Sequence, residues 1–209
     1  MAGVVAPSPE AGSKPAQILE AAARLFLENG YGAVSMDTVA KTANVSKATL
    51  YAHFRSKDEL FAAMVACECR DQMGDTTCAD IGRMDAAEAL RFIGRRFMQL
   101  LLSGKALSAY RVVVAEAHRF PELARAFYES GPARSHAQMA AYLREADRRG
   151  QLRIPDAELA AEQFFGLIKA HLHIRFVLGI QDALPESEVN RFVNAAVDLF
   201  TKGYAPDGH

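Results

Sequence analysis

The chain has 209 residues, 50% of them hydrophobic and 23% charged, the composition of a globular protein of one or two domains and not of a disordered chain. Lysine plus arginine number 24 and aspartate plus glutamate 25, so a net charge of -1 excludes a global field that draws the molecule to nucleic acid or to an acidic membrane. Any nucleic-acid site has to be local, and no uncharged run exceeds 9 residues, far short of the roughly 20 apolar residues that span a bilayer.

The opening stretch MAGVVAPSPEAGSKP has neither a basic nor an apolar signal region, so a cytoplasmic protein is expected, with residues 1–13 as a disordered tail rich in Pro, Gly, Ser and Ala. Beyond it, segments carry apolar residues at helical spacing and none keeps a period of two, which predicts an all-α protein. Ile18, Leu19, Ala22, Leu25 and Phe26 draw one stripe from Pro15 to about Asn29, and Gly30 stops it. Two short helical patterns follow, Met36 to Thr42 and Lys47 to His53, joined by Ala43-Asn44-Val45-Ser46. Helices this short are not stable alone and must pack on the first, giving a three-helix unit.

Ser56-Lys57-Asp58-Glu59 reads as a capping box that opens a longer helix from about Lys57 towards Met73. Gly74 to Met84 reads as a loop. After it, helices are predicted at about Asp85–Ser103, Ala106–His118, Pro121–Ser130, Ala133–Arg149, Asp156–Leu178 and Glu186–Lys202. Cys67, Cys69 and Cys78 are odd in number, and helical positions two apart point to opposite sides, so they do not share a metal. They read as small apolar packing residues in a reducing compartment, with a redox sensor as the alternative.

Two short helices joined by a tight turn on a scaffold helix form a helix-turn-helix, whose second helix enters the DNA major groove. Val39, Ala40, Val45, Leu50 and Phe54 are spaced to turn inward and leave Lys47, Tyr51 and His53 outward. Asn44 suits a left-handed turn residue, and Ser46 suits the N-cap of the second helix. Within residues 35–57, Lys41, Lys47, Arg55 and Lys57 stand against Asp37, a local +3 (four minus one) in a chain of net charge -1.

The stretch VSMDTVAKTANVSKATLYAHFRSKDEL, residues 34–60, resembles the DNA-binding domain of the TetR/AcrR family of bacterial transcriptional regulators. Asn44 stands where that family usually has Gly, and Ala48 where Gly is common; the Ala48 methyl is able to touch a thymine methyl. The resemblance implies that Thr38, Tyr51, His53 and Lys57 hold phosphates, with Ser46 capping the reading helix and Lys47, Ala48 and Thr49 lying against base edges. The partner is then double-stranded DNA with a palindromic operator.

The division expected is a DNA-binding domain at residues 14–60 and a larger ligand-binding and dimerisation domain at 61–209. The segment AYRVVVAEAHRFPELARAFYESGP, residues 109–132, resembles the AefR-like subgroup, which implies a homodimer whose C-terminal helices bind a small-molecule effector. Phe97, Leu101, Tyr110, Val114, Phe127, Tyr142, Phe165 and Ile168 suit an apolar lining, with His118 or His171 to orient a ligand, although each also suits ordinary core packing. The last two helices are expected to give one apolar face to their own core and another to a second subunit. The favoured reading is a dimeric repressor released by a small apolar or amphipathic ligand, with the helix from Lys57 as the lever; the alternative is an activator, or a regulator controlled by a protein partner. No cofactor, metal site or enzymatic constellation of nucleophile, base and orienting group is read from the residues.

Overall fold

In the computed structural model the described residues are 9–10, 12–73, 81, 83–169 and 171–206. Among them the chain forms eleven helices and no strand, as the apolar spacing predicts. In chain order these are α1 (Lys14–Asn29), α2 (Met36–Thr42), α3 (Lys47–His53), α4 (Lys57–Met73), α5 (Ala86–Leu101), α6 (Gly104–Glu116), α7 (Pro121–Ser130), α8 (Pro132–Arg148), α9 (Ala157–Lys169), α10 (Leu172–Val177) and α11 (Glu186–Gly203). Most of the expected tail and of the expected 74–84 loop, Cys78 included, lies outside the described residues.

The helices gather into two compact units, the first comprising the described residues up to Asp71 together with Ser108–Gly131. The core of this unit is built on α1, whose Ile18, Ala22 and Phe26 are fully buried. Val39 of α2, Leu50 of α3 and Leu60 and Phe61 of α4 close on that stripe, so α2 and α3 gain from the scaffold the stability that seven residues cannot supply. Val113 of α6 and Leu123 of α7 pack into the same core. The first compact unit therefore takes in helices that the sequence division at residue 60 assigns to the C-terminal part, because the i, i+4 spacing of one helix says nothing about which distant stripe it meets.

The second unit comprises the described residues within 72–107 and 132–206. Here α9 packs on α8, and α11 on α5. Gly94 in α5 makes this closeness possible: a Cβ there would lie 2.9 Å from Val193 Cγ1 of α11 and 3.1 Å from Ile168 Cδ1 of α9. One expected element is corrected. The helix predicted over 156–178 is two, α9 and α10, with His171 at the N-cap of the second. The buried positions Ala161, Phe164, Phe165, Ile168, Leu172 and Phe176 keep helical spacing across the interruption, so the apolar pattern carries no sign of it.

Candidate nucleic-acid interface

The connection between α2 and α3 is fixed by its own backbone. Val45 N–H donates to Ala40 O (3.0 Å) and Asn44 N–H to Lys41 O (3.1 Å), which requires residue 44 to turn left-handed; its φ is +52°. Asn tolerates that region better than other residues with a Cβ. We expect Asn44→Ala to lower the unfolding free energy by about 1 kcal/mol, and Asn44→Gly to leave it unchanged or raise it slightly; thermal melts of the two variants against the parent check this.

Each short helix then starts on a hydroxyl cap. Ser35 Oγ accepts from Thr38 N–H (3.1 Å) and Ser46 Oγ from Thr49 N–H (3.0 Å). The two capping hydroxyls also pair with the side chains they face, at 2.9 Å to Thr38 Oγ1 and 2.8 Å to Thr49 Oγ1. The start of α4 is capped in a variant of the expected box: Glu59 N–H donates to Ser56 Oγ (3.1 Å), and the Glu59 carboxylate accepts from the N–H of Arg55, one residue before the cap (2.8 Å).

With Leu50 turned inward, α3 exposes Lys47, Ala48, Tyr51, Ala52 and His53, while Thr49 is half-buried and Thr38 of α2 is exposed. Tyr51 is 49% exposed. Ala52 was not marked by the sequence because a small residue at helical spacing carries no sign of which face it takes.

The cations of this surface differ in how they are held. Lys47 Nζ lies 2.5 Å from the Asp37 carboxylate, which raises its pKa; both side chains are exposed, so the pair is a weak tether that a phosphate can compete with. Lys57 is placed otherwise than a solvated point charge. Its ammonium donates to Tyr31 O (2.8 Å) and Val34 O (3.0 Å), sits 4.1 Å from the centre of the Tyr31 ring, and has its pKa lowered by burial. Two of its three protons are spent on the corner between α1 and α2, so at most one is left for any other acceptor. Tyr31 in turn donates its hydroxyl to Asp58 Oδ1 at 2.5 Å, and burial together with that carboxylate pushes the phenol pKa up.

The candidate ligand residues divide between the units. Tyr110 and Phe127 belong to the first, with ring centres 6.2 Å apart, as do Val114 and His118, both exposed. Phe97, Leu101, Tyr142, Phe165, Ile168 and His171 belong to the second. There Phe97 packs against Phe165 with ring centres 4.4 Å apart and planes tilted by 41°, and His136, which sequence reasoning missed, lies 4.9 Å from the same ring. Burial raises the Tyr142 phenol pKa to about 12. His171 is exposed; the buried histidine is His173, whose pKa burial lowers to about 4, with Lys169 adding to the effect.

Among the described residues no group of three or more His, Cys, Asp or Glu is placed to hold a metal, and no helix is long and apolar enough to cross a membrane.

Two family models match the chain: bacterial regulatory proteins of the tetR family over residues 18–64, and the AefR-like transcriptional repressor C-terminal domain over residues 88–206. The chain belongs to the TetR family. A solved structure titled flavonoid-responsive regulator FrrA is 37% identical, with 95% of this chain and 100% of that one covered at a TM-score of 0.76. A TetR transcriptional regulator from Agrobacterium tumefaciens is 28% identical, with 93% and 96% covered at a TM-score of 0.74.

Two curated HTH-type transcriptional regulators match over short stretches. YhgD of Bacillus subtilis strain 168, an HTH-type transcriptional regulator, is 57% identical over 44 residues, 21% of this chain and 23% of its own length. IcaR of Staphylococcus aureus strain Newman, a negative regulator of a biofilm operon, is 39% identical over 59 residues, 28% of this chain and 31% of its own length. These matches thus span under a third of either curated relative. The chain is a DNA-binding transcriptional regulator of the TetR family and not an enzyme.

Proposed function

We propose that this regulator is a homodimeric repressor that holds a palindromic operator and leaves it when a small apolar or amphipathic ligand binds the C-terminal helices. The observation that carries the reading is the exposed face of α3, with Lys47, Ala48 and Thr49 to read base edges and Thr38, Tyr51, His53 and Lys57 to hold phosphates, Ser46 capping the helix between them.

Dimerisation is supported by the outer face of α9 and α11. Leu159 and Leu199 are 50% and 59% exposed. Gly166, Leu167 and Gly203 line an open apolar groove of about 540 Å³ beside Leu199, and a Cβ at either glycine would meet nothing in its own chain. Gly166 lies inside α9, where glycine costs about 1 kcal/mol relative to alanine, and the side chains missing there and at Gly203, the last residue of α11, leave room for a second subunit's helix. A two-fold pair presents α3 twice, which suits half-sites about one DNA turn apart.

A ligand releases DNA only by as much as it prefers the state that binds DNA poorly. The relative FrrA is described as flavonoid-responsive, and 37% identity over that whole chain makes planar aromatic compounds the first class to try. The test is selection of duplexes from a random pool by the purified chain, with and without flavonoids. We expect an inverted repeat to be enriched and its retention to fall with a flavonoid present. Enrichment of a single unrepeated site, or of none, would overturn the dimeric operator reading, and retention unaffected by any compound would favour control without a ligand.

A further inference from the structure

The corner between α1 and α2, residues 30–34, is too short for a helix and leans on other elements for its backbone hydrogen bonds. Its carbonyls at Tyr31 and Val34 take the Lys57 ammonium. Gly30 N–H donates to Phe26 O and Val34 N–H to Tyr31 O, but two successive N–H groups between them are taken by a residue more than 80 positions downstream: Glu116, the last residue of α6, accepts from Tyr31 N–H through Oε1 (2.6 Å) and from Gly32 N–H through Oε2 (2.8 Å). Two successive N–H groups converging on one carboxylate make a charge-assisted, bidentate anion cradle, stronger and more directional than two neutral bonds.

The local sequence makes room for that carboxylate. A Cβ at residue 30 would lie 2.8 Å from Glu116 Oε1, and one at residue 32 would lie 2.8 Å from Oε2 and 3.0 Å from Phe120 Cε2; glycine occupies both positions. Gly30 also has a φ of +80°, which disfavours any side chain there. Phe120, just before α7, adds the edge of its ring to Tyr31 at 5.4 Å. The corner is thus strapped by an anion on its N–H groups and a cation on its carbonyls. Ser35, the cap of α2, follows at once, and Thr38 sits on that cap.

We infer that Glu116 is a positioning residue for DNA binding: it never touches DNA, and it fixes the corner from which α2 and its phosphate-contacting end are launched. The inference rests on the reading that α2 and α3 face DNA. Neither its spacing in the sequence nor its type marks Glu116, since its partners are backbone groups.

Glu116→Gln keeps the shape but replaces one acceptor with an amide that faces an N–H donor. Its test is titration of the duplex enriched by the unaltered chain, at several salt concentrations, beside a thermal melt. Binding constants fall with salt at a slope of about -0.9 per phosphate contact on B-form DNA. We expect E116Q to retain its helical content, to bind at least about tenfold more weakly, and to show a shallower slope by roughly one to two contacts.

A variant that merely lowers the folded fraction would lose affinity with the slope unchanged, and that result, or unchanged affinity, overturns the inference. Should E116Q lose its helical content, Gly32→Ala, whose methyl meets the same carboxylate oxygen, takes its place in the titration and the melt: a shallower slope with helical content kept supports the inference, and an unchanged slope or affinity overturns it. Failure of the unaltered chain to enrich any duplex would instead sink the DNA-facing reading, and this inference with it.

Discussion

Lys57→Met is expected to lower both the melting temperature and the affinity for every duplex offered. The substitution keeps an apolar stem of similar length and removes the ammonium that bonds to Tyr31 O and Val34 O. Two carbonyls lose a charged donor, for which about 1–2 kcal/mol is reasonable where water reaches part of the site, with a further fraction from the contact over the Tyr31 ring. Affinity falls for two reasons, neither of which depends on the sequence of the duplex. The remaining ammonium proton no longer meets a phosphate, which flattens the salt slope by about one contact. The α1–α2 corner also loosens, so the phosphate-contacting end of α2 is held less firmly and the slope flattens further. A Lys57 variant with weakened DNA binding and an unchanged melt would return this residue to the role of a simple surface charge and contradict its observed bonding.

That double role was hidden in the sequence for a physical reason. The helix-turn-helix was legible because each of its parts is local: Asn44 for a left-handed turn, Ser46 for a cap, Ser56 and Glu59 for a box, and an apolar stripe on α1. Lys57, Tyr31 and Glu116 meet across 26 and 85 residues through main-chain atoms, and main-chain acceptors and donors are the same at every position. The local +3 counted from residues 35–57 holds as a sum, yet its members differ: Lys41, Lys47 and Arg55 are exposed, Lys47 with a tether to Asp37, whereas Lys57 is half-buried and turned onto carbonyls. The break between α9 and α10 was illegible for the opposite reason, since apolar periodicity runs straight through it.

Leu199→Arg is expected to separate the proposed dimer with little effect on the fold. Leu199 is 59% exposed in the single chain, so its replacement disturbs no internal packing, and surface changes of this kind stay within about 0.5 kcal/mol. Across a two-fold axis the same residue faces its own surroundings, so each dimer gains two buried and unpaired guanidinium groups in an apolar groove. Sedimentation at micromolar concentration should show a monomer. Its affinity for a duplex with two half-sites should drop by about a hundredfold or more, because the second half-site is no longer bound at high effective concentration, whereas affinity for a single half-site should be nearly unchanged. A Leu199→Arg chain that still sediments as a dimer would place the interface elsewhere.

The most direct measurement compares Thr49→Ala with Lys57→Met on a panel of single-base variants of the selected duplex. The Ser46 hydroxyl continues to accept from the backbone N–H of residue 49 when its side chain is truncated, so Thr49→Ala keeps the backbone cap of α3 and removes the Thr49 hydroxyl, with its 2.8 Å pairing to Ser46 Oγ, from the face that α3 presents. If α3 reads base edges, Thr49→Ala reorders the panel by about 1–3 kcal/mol at one or two positions in each half-site, while Lys57→Met weakens every member by a common factor. Two variants with the same profile across the panel would contradict the assignment of α3 as the reading helix.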